Sequence, residues 1–237
     1  MILRLTGFGM DRNELLLIVA EHICLTVLPH PTRVGIDGIN CAGKTTFTDE
    51  LSAIIQHRGR KVIRVTGENF LYPRKRRWQD NFNAPQQFYG TDNYPALIFY
   101  LLEPLGPSGD RQYVSAVYDP QTDSHIGIQA CAASRDAILL YDGIFLCRPE
   151  LQNYWDILFF LSVFWEEAIK RACVRQRELV RWESAEEIMA AYLTRYVPTQ
   201  RMYLAQCHPE NHADFVIDNS DAQHPHFQIN RQHLRDG

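Results

Sequence analysis

The stretch RVGIDGINCAGKTTF, residues 33–47, decides the fold. Arg33 to Asp37 is a short β-type run that ends at a glycine. The next eight residues, Gly38 to Thr45, fit G-x-x-x-x-G-K-[ST] at every fixed position. A helical segment follows from about Lys44 to Gln56 and is closed by Gly59. Glycines let such a loop wrap closely, so that backbone N–H groups converge on phosphate oxygens. The helix behind it offers its positive end to the same anion. The spacing therefore predicts a nucleotide cradle built from Gly38, Ile39, Asn40, Cys41, Ala42, Gly43, Lys44, Thr45 and Thr46. Lys44 would neutralise the β- and γ-phosphates of ATP, and Thr45 would offer its hydroxyl to Mg²⁺. A plain strand–helix turn with an incidental lysine would not need the full motif in this context. Cys41 reads as a tolerated small residue rather than a redox switch.

Working outward, residues 11–28 predict a helix with Asp11 as N-cap, and KVIRVT (61–66) predicts a second strand. Residues 67–92 show no period and read as a long functional loop. YPALIFYLLEPL (94–105) reads as a helix, and QYVSAVYD (112–119) alternates like a strand. DAILLYDG (136–143) and WDILFFLSV (155–163) are apolar runs of the buried parallel-strand type. Helices are expected over 166–179 and 184–206, the second bent at Pro198. ADFVIDN (213–219) is the last strand expected, and the polar tail after it reads as a loose end. Strands alternating with helices imply an α/β fold with a mainly parallel sheet. The expected division is an N-terminal helical extension (1–30), a P-loop domain (31–219) and a polar tail (220–237).

Composition excludes several classes. Of 237 residues, 46% are hydrophobic and 22% charged, as in a folded globular chain. A net charge of -4 argues against a nucleic-acid-coating role. The six cysteines form no CxxC pair, which points to reduced thiols and a cytoplasmic location. Asp11, Glu14 and Glu21 interrupt any signal-peptide core, and no apolar run is long enough to span a bilayer. His208 and His212 with Cys207, and His224 with His226, complete no tetrahedral metal spacing. The expected partner is a small-molecule acceptor, with no nucleic acid and no membrane. Self-association to a homo-oligomer is left open.

ILLYDG (138–143) puts Asp142 at the end of a buried strand, where a P-loop protein places the carboxylate that organises Mg²⁺. The competing reading is an aspartate that turns the chain. Together, VGIDGINCAGKTTF, ENFLYPR, NYPAL, EPLGPSGDRQYVSAVYD, LLYDGIFLCRPEL and RYVPTQRMYLAQCHPENHADFVIDN resemble the uridine kinase/phosphoribulokinase-type P-loop kinases, in particular a bacterial uridine kinase-like branch. The resemblance covers residues 33–219. It implies a P-loop NTPase-type three-layer α/β/α fold with a helical lid, and an ATP-dependent phosphotransferase acting on a hydroxyl of a nucleoside. Other acceptors to weigh are a phosphosugar or a pantothenate-like alcohol, and a non-catalytic nucleotide-binding regulator is a further alternative.

The resemblance also distributes roles. Glu68, where the pattern has the first of two adjacent acids, would align the acceptor hydroxyl. Asn93 stands where an acid would hold sugar hydroxyls, with Asp92 beside it as a substitute. Arg171, Arg175 and Arg177 match lid arginines that close on the transferring group. Arg111 and Tyr113 would border the acceptor pocket. In the run Arg74–Arg77, four adjacent cations cannot all face one site, so Arg74 or Arg77 would contact substrate and the rest would face water.

Overall fold

The computed structural model, which describes residues 10–77, 83–175 and 184–230, puts the 33–37 run in the middle of a sheet. Its strands are β1 (Thr32–Gly38), β2 (Val62–Thr66), β3 (Ile138–Asp142), β4 (Ile157–Ser162), β5 (Phe215–Asp218) and β6 (His226–Ile229), in the order β6-β5-β4-β1-β3-β2. All pairs are parallel except β5 with β6. The apolar runs that form β1, β3 and β4 are buried on both faces, as parallel strands covered by helices must be.

Alternation along the strands sorts the core into two layers. Ile138 and Leu140 join Val34, Ile36 and Phe159 on one face. Leu139 and Tyr141 join Leu158 and Phe160 on the other. The first face is covered by α1 (Arg12–Leu25) and α2 (Lys44–His57). Asp11 caps α1 by accepting from the N–H groups of Asn13 and Glu14. Leu15, Leu16, Val19, Ala20 and Ile23 then enter the same core as the sheet. The second face is covered by the helical segment Tyr94–Leu102 and by Tyr203. Among the described residues no helix is long and apolar enough to cross a membrane.

The segment 67–92 is not one irregular loop. It contains a 3₁₀ turn (Gly67–Phe70) and two short helices, α3 (Arg74–Arg77) and α4 (Ala84–Gly90). Asn83 and Gln86 close a capping box at the start of α4, a local signal that masks the lack of periodicity. The expected strand 112–119 is two separate pieces, Gln112–Tyr113 paired with Cys131–Ala132 and Tyr118–Asp119 paired with Ser124–His125. The helix expected over 94–105 is α5 (Tyr94–Leu97) followed by a π-helical turn to Leu102.

Near the C-terminus, α6 (Trp165–Val174) stops short of its expected end, and residues 176–183 lie outside the described residues. Then α7 (Ala185–Ala191), a π-helical turn (Tyr192–Tyr196) and α8 (Val197–Cys207) run consecutively. Pro198 sits in the first turn of α8, directly after the π-helical turn. A short α9 (Pro209–His212) leads into β5.

The polar tail departs from the loose end expected of it. Residues 226–229 pair with β5, and Phe227 stacks on Phe215 at 5.6 Å between ring centroids. Alternation over four residues with one aromatic is too weak a signal to read alone. Phe227→Ala is therefore expected to lower the unfolding free energy by about 3 kcal/mol in urea titration. A loss under about 0.5 kcal/mol, the size of a surface effect, would mean that the strand is not part of the folded core.

Candidate active site

The carboxyl ends of β1, β2 and β3 converge, and the register sets Thr66 and Ile36 both opposite Asp142. A cleft of about 410 Å³ opens there, where ligands bind in α/β sheets. The loop after β1 forms its floor.

Two glycines of that loop are dictated by close approach. Gly38 has φ of 148°, and a Cβ there would lie 2.3 Å from the Leu161 carbonyl oxygen. Gly43 has φ of 92°, and a Cβ would meet the Asn219 amide at 2.5 Å. Asn219 fixes the loop from behind by donating to the Ala42 carbonyl at 2.7 Å. Cys41 holds a left-handed conformation, φ 59°, with its Sγ 3.2 Å from the Tyr192 hydroxyl.

Lys44 lies at the start of α2 and donates to the carbonyls of Gly38 (2.9 Å) and Ile39 (2.8 Å). Burial pushes its pKa down, and Asp142 and Asp37 oppose that shift. Thr45 donates to Asp142 Oδ2 at 2.9 Å, and Arg64 holds Oδ1 of the same carboxylate at 2.6 Å. Asp37, fully buried, accepts from the Gly38 N–H at 2.7 Å and from the Tyr203 hydroxyl. Burial raises its pKa, while the Tyr203 bond, the Gly38 N–H and Lys44 pull it back.

The cradle suits a nucleotide triphosphate. The positive-φ glycines leave room for close backbone approach, and the N-terminus of α2 and Lys44 face the same space. Thr45 and Asp142 are the pair that would hold Mg²⁺, with Asp142 already shared with Arg64.

The remaining sequence-predicted residues separate into two groups. Glu68, in the 3₁₀ turn after β2, lines the cleft with Arg77, Arg171 and Arg175. Arg171 is anchored by Glu167 (3.0 Å) and by the carbonyls of Asn219 (2.8 Å) and Ser220 (2.9 Å). Arg175 is not on a helical face with it, because α6 ends at Val174 and Arg175 is extended. It still lies close enough to Lys44 to lower that lysine's pKa. Arg177 lies outside the described residues.

Asn93, Arg74, Arg111 and Tyr113 do not line the cleft. The Asn93 side chain accepts from Ala96 N–H and so caps α5. Arg74 is exposed and donates to Pro120 O at 2.7 Å. Arg111 is an exposed positive-φ turn residue, and Tyr113 packs against the core beneath it.

Sequence reasoning missed Gln87, Arg195, Tyr196 and Asn219, and gave Asp92 only second place. Arg195 donates to the Arg77 carbonyl at 3.1 Å, and Thr199 to Gln87 at 3.0 Å. A stripe at helical spacing, Tyr192, Tyr196, Thr199 and Tyr203, was the available signal. Asp92 lines the cleft, and its Oδ2 is buried without a hydrogen-bond partner. Burial pushes its pKa up to about 7, against the pull of Arg148 and Arg77.

The fold is that of the P-loop kinases. A protein described as a possible uridine kinase from Bacillus stearothermophilus superposes with a TM-score of 0.68, over 87% of this chain and 99% of its own, at 20% identity. A protein described as a fructose transport system kinase from Silicibacter sp. TM1040 gives 0.67 over 83% and 95%, at 19% identity. A D-glycerate 3-kinase from Cryptococcus neoformans var. grubii gives 0.60 over 92% and 98%, at 11% identity. No protein-family model and no curated protein sequence matches the chain.

A carboxyl that ionises near pH 7 when folded, but at the usual 3.8 when unfolded, leaves the native state holding the extra proton between those values. Its effect is to erode stability as pH rises through that window. Asp92→Asn removes the effect. Its thermal midpoint should therefore gain on the wild type from pH 5 to about pH 7 and keep a constant lead above that. A pH-independent difference would show that Asp92 ionises normally.

Proposed function

We propose that the protein is an ATP-dependent kinase that moves the γ-phosphoryl group to a hydroxyl of a small molecule. The observation that carries this reading is the meeting of Lys44, the Thr45–Asp142 pair and Glu68 in one cleft at the carboxyl ends of β1, β2 and β3. Bound ATP would supply the phosphoryl group, and Mg²⁺ would neutralise charge on its oxygens.

The protein's own residues divide the remaining work. Lys44 exchanges two backbone carbonyls for phosphate oxygens, so its contacts in the loop are a preformed stand-in. Glu68 accepts the hydrogen bond of the acceptor hydroxyl and aims its oxygen. A loose phosphoryl-transfer transition state asks for alignment more than for early deprotonation. Arg175 and Arg171 add positive charge on the lid side and limit water, which would otherwise compete as acceptor.

The likeness to a possible uridine kinase makes a nucleoside the reference acceptor, and the free cysteines suit the reducing cytoplasm. A nucleotide-binding regulator with the same fold is the reading to beat, and catalysis separates the two.

The test is ADP release from Mg²⁺–ATP across a panel of nucleosides, sugars and hydroxy acids. At least one acceptor should stimulate release. Lys44→Ala is expected to lower the stimulated rate by about 10²-fold or more. Glu68→Gln should lower it by about 10²-fold while ATP still binds. ATP binding without stimulated release by any acceptor would favour the regulator. Turnover in Glu68→Gln within about threefold of wild type would remove Glu68 from its role.

A further inference from the structure

The N-terminal helix reaches the phosphate loop through one side chain. Arg12, in the first turn of α1, divides its guanidinium between two directions. Its Nε and Nη2 meet the Glu50 carboxylate on α2 at 2.9 and 2.7 Å. Its Nη1 donates to the Asn219 side-chain oxygen at 3.3 Å and to the Ala222 carbonyl at 3.2 Å. A plain tether between α1 and α2 needs only the first pair. The second reaches the residue that holds the loop.

Asn219 is buried, and its main chain is fixed on both sides. Its N–H donates to the Ser162 carbonyl at 2.9 Å, and its own carbonyl accepts from Arg171 at 2.8 Å. What these bonds leave open is the rotation of the side-chain amide, whose two ends differ only in being oxygen or nitrogen. Arg12 selects one orientation. The oxygen faces the guanidinium, so the nitrogen faces the Ala42 carbonyl. The reverse would set two acceptors against each other at Ala42 and two donors against each other at Arg12.

The consequence lies one bond further on. The peptide bonds are trans, so the Ala42 C=O and the Gly43 N–H point in opposite directions. With the carbonyl drawn onto Asn219, the Gly43 N–H is turned away from Asn219, and Gly43 lines the cleft. Loops of this type hold phosphate oxygens through such N–H groups. No residue of α1 lines the cleft, so any influence of Arg12 on a bound phosphate passes through Asn219.

Resting on the nucleotide half of the kinase reading, we propose that Arg12 is a positioning residue for phosphate binding. Acting through the Asn219 amide, it holds the Ala42–Gly43 peptide in the orientation that donates to a nucleotide phosphate. The N-terminal helix is in this way part of the nucleotide site.

The experiment uses the full chain, with ADP and Mg²⁺ as the probe and binding read by titration calorimetry. The wild type should bind. Arg12→Gln should weaken ADP about fivefold or more, and Asn219→Ala at least as much. In the Asn219→Ala background, Arg12→Gln should cost no more than about twofold further, because residues acting through one contact are not additive. Ile23→Ala, fully buried at the far end of the same helix, is the control for helix stability. It should lower the thermal midpoint and leave ADP affinity within about twofold of wild type. Arg12→Lys keeps a cation beside Glu50 without the fork that spans both partners, and it should also weaken ADP. It is the deciding variant if Arg12→Gln fails to fold.

ADP affinity within about twofold of wild type in the deciding arginine variant overturns the proposal. An equal loss in Ile23→Ala also overturns it, since the effect would then be one of helix stability. A full further loss in the Asn219→Ala background does so too, because it would route the effect past Asn219. A wild type that binds no ADP overturns the kinase reading and the proposal together. ADP binding that depends on Arg12, with no acceptor stimulating ADP release from ATP, counts against the kinase reading and leaves the proposal standing.

Discussion

Asp37 is the interaction on which both walls of the cleft hang. A carboxylate with no exposure is tolerated only when its oxygens are satisfied. Here the partners are the Gly38 N–H, which begins the phosphate loop, and the Tyr203 hydroxyl. Tyr203 in turn accepts from the Cys147 N–H at 3.0 Å. One buried acid thus joins β1, the loop, the turn after β3 and helix α8. Lys44 lies near enough to ease the charge of Asp37, and Asp37 in return offsets the burial of Lys44. Removing either would leave the other as a buried charge with fewer compensations, the expensive case for any buried pair.

The helical segment 192–207 extends that connection across the site. Tyr192 meets Cys41, Gln200 accepts from the Asn40 N–H at 3.2 Å, and Tyr203 meets Asp37. The same segment holds the opposite wall, through Arg195 to Arg77 and Thr199 to Gln87. The π-helical turn at Tyr192–Tyr196 changes the facing of side chains within one continuous rod, which lets loop contacts and wall contacts alternate along it. The spacing of the phosphate loop and the opposite wall of the cleft is therefore set by one helical segment that contacts both, rather than by two independent loops. On the proposed kinase reading, phosphoryl transfer would depend on that distance, because the two oxygens involved must be brought into line.

What the sequence made legible follows from how locally each feature is encoded. The phosphate loop occupies eight contiguous residues between a strand and a helix, and its chemistry can be read residue by residue. Asp142 was legible because a buried apolar strand ends on it. The opposite wall of the cleft was not. Asn93 and Asp92 are neighbours, yet the pairing of Leu71 with Asp92 turns Asp92 toward the cleft and leaves Asn93 to cap α5. No periodicity predicts that one-residue choice. The 112–119 segment misled in a similar way. Its alternation is real, but the residues pair locally in two short ladders rather than joining the main sheet.

The same asymmetry explains how far likeness of fold can reach. Solved kinases at 11–20% identity keep this architecture over most of their length. In this chain the sheet, the loop and the two-layer core all rest on apolar pattern and glycine placement. The wall of the cleft opposite the loop rests on the contact of Arg195 with Arg77, which are 118 positions apart, and on the orientation of Asp92. None of these side chains belongs to the apolar layers, so the pattern that fixes the fold does not fix them. The phosphate loop is thus part of the architecture itself. The opposite wall is formed by a few polar and charged side chains far apart in the sequence, which the apolar pattern that fixes the fold does not encode.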